Sequence, residues 1–250
     1  MNELVTGPAA KYRFIKGKNL FVIYYGWLIA DPSGTPNEYA RLIAAAKPDL
    51  LLASFYTFEP KYLNLSPQVR ELFRDAGVRI FAYVDTNYGN RPVEEVKAEA
   101  IEYLRQDVDG IFYDQVYNFL DDAKSDYYRE LYTLAKNQLR AVIANTGIGQ
   151  PGEEVMQVTD ILMVEHAWRE LYQSNTWFKK YQPERFMGNS SNEHPELNTV
   201  YQIDRNTAQL DTTEAWANGV GWHFSTDHYI DLPEWFLQYA FSLGYGSYNS

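Results

Sequence analysis

The feature that most constrains this chain is an alternation. Short β-branched or aromatic runs are separated by amphipathic stretches, with one strand–helix unit every roughly 25–35 residues. The runs are Leu20–Gly26, Asp49–Phe55, Arg79–Asp85, Gly110–Val116, Ala141–Asn145 and Asp160–His166. The seventh is either Arg185–Asn189 or Thr199–Ile203, and Val220–Thr226 is the eighth. Helical stretches lie between them: one beginning near Pro36, then Ser66–Ala76, Pro92–Asp107, Asp126–Gln138, a short Glu153–Val158, Thr212–Asn218 and Pro233–Ser242. Ser66 and Pro67 read as N-cap and first helical residue, and Gly77 stands where a helix of this kind ends. Along Pro92–Asp107, Val93, Val96, Ala100, Ile101 and Leu104 share one helical face. Eight strands with intervening helices in 250 residues favour closure into a (β/α)8 TIM barrel over an open doubly wound sheet. No linker, low-complexity tract or charge run divides the chain. One barrel domain over residues 1–250 is expected, with 1–18 as an N-terminal extension.

Composition then removes whole classes of function. A net charge of -11 argues against a nucleic-acid ligand and suits a neutral or cationic substrate. The chain has no cysteine, so disulfides, thiolate metal sites and cysteine nucleophiles are absent together. The four histidines, His166, His194, His223 and His228, contain no HExxH pair, so no metal and no cofactor is expected. No run is long and apolar enough for a membrane helix, and residues 1–19 lack the apolar segment of a secretory signal. Tyr, Phe and Trp number 21, 13 and 6; such rings fill cores, and they also stack on sugar rings.

In a parallel barrel the catalytic groups come from the C-terminal ends of several strands. Side chains alternate along a strand, so each run has a definite parity. If Phe112 faces inward on the fourth strand, so does Asp114 at its end. On the sixth strand Ile161, Met163 and Glu165 share one face, and Asp85 ends the third strand in the equivalent place. Strands four and six are separated by one neighbour, about 9–10 Å, so inward carboxyls would stand roughly 5–6 Å apart, the spacing of a retaining glycosidase. A strand-terminal acid can equally cap a helix or a loop amide, and this alternative is strongest for Asp85. Asn145 ends strand five between the pair and could bind a sugar hydroxyl or a carboxylate. Asp227 follows strand eight and could hold substrate, or cap a loop.

Two motifs point elsewhere and are set aside. Gly147, Gly149 and Gly152 match GxGxxG after a strand, but Pro151 interrupts the turn and the following helix is short, so a glycine-rich βα loop is the better reading than a nucleotide site. Gly219 and Gly221 stand before and at the start of strand eight, whereas a barrel's phosphate loop would follow it, which disfavours a phosphorylated-metabolite enzyme. His166 faces the helices by parity and reads as structural.

The run Val108-Asp109-Gly110-Ile111-Phe112-Tyr113-Asp114 resembles spherulation-specific family four proteins and is similar to endo-α-1,4-polygalactosaminidases. The strand Ala82-Tyr83-Val84-Asp85 and the stretch Gly219–Asp227 before Leu232-Pro233 carry the same resemblance. It implies a barrel hydrolase that cleaves α-linked galactosamine or N-acetylgalactosamine polymers, with a secreted or cell-surface location. By the same carry-over Asp114 matches the strand-four Asp, and Glu165 the strand-six acid/base. Many relatives carry Glu directly after the strand-four Asp; this chain has Gln115. The expectation is therefore a monomeric retaining glycoside hydrolase with Asp114 as nucleophile and Glu165 as acid/base. Asp85, Asn145, Asp227, Tyr24, Trp27, Tyr88, Gln115 and Trp168 would bind a polysaccharide or oligosaccharide. A non-catalytic carbohydrate-binding barrel, motivated by Gln115 and the aromatic excess, is the alternative.

Overall fold

The computed structural model describes residues 17–54, 65–147, 150–164, 177–190, 193–194, 199–200, 203–226 and 231–246. Its strands are β1 (Asn19–Tyr24), β2 (Leu50–Ala53), β3 (Arg79–Asp85), β4 (Gly110–Asp114), β5 (Ala141–Asn145), β6 (Ile161–Val164), β7 (Phe186–Ser190), β8 (Glu193–His194), β9 (Thr199–Val200) and β10 (Trp222–Ser225). Eight of them close a parallel barrel in the order β1-β2-β3-β4-β5-β6-β7-β10. Outside it lie α1 (Glu38–Ala46), α2 (Pro67–Ala76), α3 (Val93–Leu104), α4 (Asp122–Asn137), α5 (Arg205–Ala217) and α6 (Phe236–Ser242). The expected TIM barrel is therefore present.

The seventh barrel strand is the first of the two candidates. The second, around Thr199, forms instead an antiparallel ribbon of β8 with β9. Two helices start earlier than hydrophobic periodicity suggested, because an aspartate caps each. Asp121 accepts the Lys124 amide at 2.8 Å, and Asp204 accepts the Thr207 amide at 2.7 Å. Between β5 and β6 the expected helix Glu153–Val158 shrinks to the 3-10 turn Val155–Gln157. Beyond β6, Trp177, Phe178 and Tyr181 pack on Phe186 at centroid distances of 5.4, 6.0 and 5.4 Å, covering the outer face of β7 with rings.

One device recurs along the lower rim. The aspartate just before β2, β4 or β6 accepts the amide of the second residue of the preceding strand. The pairs are Leu20 to Asp49 at 3.0 Å, Ile80 to Asp109 at 2.8 Å and Val142 to Asp160 at 2.8 Å. Each aspartate returns its own amide to the carbonyl of that same residue, at 2.9, 2.8 and 2.9 Å. Each carboxylate thus pins a pair of strands in register.

Inside and outside are settled by contacts. Tyr113 reaches outward to the Leu131 carbonyl of α4, and Tyr24 packs on Tyr39 of α1. Alternation then turns Phe112 and Asp114 inward. Register carries the interior face around the barrel: Tyr83 pairs with Phe112, Asp85 with Asp114, Phe112 with Ile143, and Asn145 with Met163. At the lower end the Arg79 guanidinium lies over the Trp222 ring at 5.2 Å and places a positive charge at the floor of the interior.

Gly110 is what lets this interior close. A Cβ there would stand 2.2 Å from the Phe81 ring and 2.5 Å from the Ala141 carbonyl oxygen. The ring could turn, but the β5 backbone cannot retreat without breaking the ladder. Gly110→Ala is expected to lower unfolding free energy by about 2 kcal/mol or more, seen as a melting temperature lower by about 4–8 °C. An unchanged melt would show that β5 yields.

Candidate active site

Asp114 is the centre of the described part of the mouth. Its Oδ1 accepts the Asn145 side-chain amide at 2.7 Å, and its Oδ2 accepts the Tyr83 hydroxyl at 2.7 Å. These donors come from the two strands that flank β4, so the carboxylate is held from both sides. The Asn145 amide has a defined orientation. Its oxygen accepts the Gly147 amide at 2.9 Å, which leaves the nitrogen to face Asp114. Gly147 itself has φ 71°, a conformation that favours glycine, and so brings its N–H back onto Asn145. Tyr83 is wedged between Phe112 and Tyr25, with centroids at 5.8 and 5.7 Å.

Burial pushes the Asp114 carboxyl above its ordinary range. Hydrogen bonds from Tyr83, the Gln115 backbone and Asn145 oppose this, and the charge of Asp85 adds to it. Such a group keeps a definite orientation while remaining easy to protonate. These three donors leave the carboxylate one of its roughly four lone-pair sites for an electrophile or a proton.

The other expected site residues divide. Asp85 lies beside Asp114, but its Oδ1 accepts the Asn87 amide at 2.8 Å, the loop-capping role left open for it. Gln115 turns the chain at φ 52°, and its carbonyl accepts the Tyr88 amide at 2.7 Å and the Thr86 hydroxyl at 2.9 Å. Trp27 and Tyr88 are 54% and 47% exposed, on the loops after β1 and β3. Tyr24 is not open at the mouth. It is 1% exposed, packed outward on Tyr39, and donates to the Trp27 carbonyl at 3.0 Å. The parity that turns Tyr24 outward leaves its neighbour Tyr25 against Tyr83. Glu165, Trp168 and Asp227 lie outside the described residues, as do His166 and Gly149.

Three residues escaped the sequence reading. Tyr83 could have been found, since it shares parity with Phe81 and Asp85. Tyr117 and Phe119, both exposed, stand on the loop after β4. That loop is tied to the next one, where Gly152 donates to the Asn118 carbonyl at 2.8 Å. The last glycine of GxGxxG therefore serves loop packing, and the 3-10 turn after it offers no helix N-terminus for a phosphate. Among the described residues no three His, Asp or Glu side chains gather as a metal cluster, and no helix is long and apolar enough to cross a membrane.

Solved structures share this architecture at low identity. Aspergillus clavatus Sph3, crystallised in complex with GalNAc, is 16% identical, with TM-score 0.66 over 92% of this chain and 98% of that one. An endo-beta-N-acetylglucosaminidase from Cordyceps militaris is 14% identical, with TM-score 0.62 over 97% of each chain. A chitinase from Chromobacterium violaceum is 9% identical, with TM-score 0.61 over 90% and 98%. No curated protein sequence matches. Residues 59–241, however, match spherulation-specific family 4, a span that covers β3 through β10, and the chain belongs to that family.

Proposed function

We propose that this protein is a retaining glycoside hydrolase acting on α-linked galactosamine or N-acetylgalactosamine polysaccharide. The observation that carries the reading is the Asp114 carboxylate, fixed at the interior mouth by donors from both neighbouring strands. A carboxylate so oriented can attack an anomeric carbon. Glu165 donates a proton to the departing glycosidic oxygen, and a covalent glycosyl ester forms at Asp114. Glu165 then takes a proton from water, whose oxygen displaces Asp114 and restores both groups. Met163, two residues before Glu165, is in register with Asn145, which supports the pairing of the fourth and sixth strands. The sugar reading is supported by family membership, by the GalNAc bound to the Sph3 relative and by the exposed rings on the mouth loops. Net charge of -11 suits a partly deacetylated, cationic chain.

Gln115 favours a second reading, a carbohydrate-binding barrel without turnover, because it leaves one carboxylate fewer beside Asp114. Incubation with galactosamine-containing and neutral polysaccharides, with products sized and the anomer of fresh product read by NMR, separates the two. Release of short galactosamine oligosaccharides with retained configuration is expected. Binding without release would establish the second reading, and inversion would remove Asp114 as nucleophile.

A further inference from the structure

The loop joining β3 to α3 is built around a lysine. Asn87, Tyr88 and Gly89 are consecutively left-handed, with φ 46°, 56° and 69°. Two of these are not glycine, and such residues stay in that region only when their surroundings hold them there. The holding group is Lys124, on the first turn of α4. Its ammonium donates to the Tyr88 carbonyl at 2.7 Å, the Gly89 carbonyl at 2.8 Å and the Asn90 side-chain oxygen at 3.1 Å. An ammonium has three protons, so this loop takes all of them. The lysine stem fills the space a side chain at 89 would need: a Cβ there would meet Lys124 Cδ at 3.0 Å and Nζ at 3.1 Å. The loop's other side is bound to the end of β4. The Tyr88 amide donates to the Gln115 carbonyl, and Thr86 Oγ1 bridges the carbonyls of Asp114 and Gln115 at 2.9 Å each. The backbone of Tyr88, which carries a half-exposed ring, is thereby tied to the end of β4 that bears Asp114.

We propose that Lys124 is a positioning residue whose ammonium locks the β3–α3 loop so that the Tyr88 ring forms a stacking platform for the sugar unit adjoining Asp114. This rests on the carbohydrate reading above. A platform fixed before substrate arrives spends none of the binding energy on ordering itself, and a ring serves a sugar face only at a set height and tilt.

Two measurements test it. In Lys124→Met, amide hydrogen exchange at Tyr88 and Gly89 should accelerate by about tenfold or more, since removing the clasp lets the loop open locally. Lys124→Gln should behave alike and stands in if the first variant folds poorly. In an Asp114→Asn background, which binds without turnover, Kd for an oligosaccharide of α-linked N-acetylgalactosamine should rise about tenfold on Tyr88→Ala and similarly on Lys124→Met. The two together should weaken binding no further than Tyr88→Ala alone, because Lys124 acts only through that ring. Unchanged exchange overturns the clasp, and additive losses overturn its link to Tyr88. If the parent binds no such oligosaccharide, the carbohydrate reading and the platform fall together, while faster exchange would still uphold the clasp.

Discussion

Asp114→Asn should cut turnover by about three to four orders of magnitude while leaving the fold intact, and Glu165→Gln should do the same. The chemistry demands a nucleophile that can form an ester, which an amide cannot do. The fold tolerates the change because the new side chain is nearly isosteric. Its oxygen can still accept from Asn145, and the Tyr83 hydroxyl can rotate to accept from the new amide. Stability should even gain slightly near neutral pH. Burial raises the Asp114 carboxyl above its unfolded value, so the ionised group costs stability once pH rises through its folded pKa, and an amide does not. Tyr83→Phe gives a finer reading of the same centre. It removes a bond that favours the carboxylate, so the carboxyl rises further and the acidic limb of the kcat/KM profile moves to higher pH, with kcat lower by about tenfold or more. Steady-state kinetics across pH with a sized polysaccharide, alongside thermal melts, would check all three variants. Turnover by Asp114→Asn within tenfold of the parent would sink the nucleophile assignment.

The barrel was readable because each unit announces itself through local chemistry. Arg79–Asp85 and Ala141–Asn145 match the observed strands residue for residue, since turn and loop residues stop both ends. The sequence misled where an element owes its existence to a polar cap or to packing from elsewhere. Arg205-Asn206-Thr207 lacks apolar periodicity and becomes helical because Asp204 caps it. Thr199–Val200 has strand composition but pairs outside the barrel, a choice made by tertiary partners that no local pattern encodes. In the candidate site, parity was sufficient to turn Asp114 and Asn145 to the interior, yet the bond between them depends on the Gly147 amide fixing the Asn145 side chain. The same parity applied consistently would have turned Tyr24 outward and selected Tyr83. The lysine clasp was beyond reach: Lys124 meets the loop of Tyr88 only because α3 and α4 lie side by side.

His223→Gln should lower stability near neutral pH, and its deficit should shrink as the medium is acidified. The imidazole is fully buried between β10 and two helices. Nδ1 pairs with Thr212 Oγ1 at 2.9 Å and Nε2 with Ser190 Oγ at 3.1 Å, while Thr212 also bonds the Tyr239 hydroxyl at 2.6 Å. These two partners are hydroxyls, and the Tyr239 phenol is itself pushed far above its usual range by burial. Burial accordingly depresses the imidazole from 6.5 to about 3. The sign follows directly. A group with a depressed folded pKa stabilises fully above its unfolded pKa, and that stability drains away as pH falls from 6.5 towards about 3. The drain is at most about 1.4 kcal/mol per pH unit in that window. The glutamine variant forfeits part of the network, about 2 kcal/mol or more at pH 7.5, but has no proton to take up. The gap between the two proteins should therefore narrow by about 2 kcal/mol between pH 7.5 and pH 5. Asp49, Asp109 and Asp114, whose carboxyls burial raises, push the other way with pH, but they are common to both proteins and cancel in the difference. Urea unfolding of both at four or five pH values gives the two curves. If they run parallel through pH 5, His223 carries its proton in the folded state, and burial of a neutral ring is not what holds β10 against its helices.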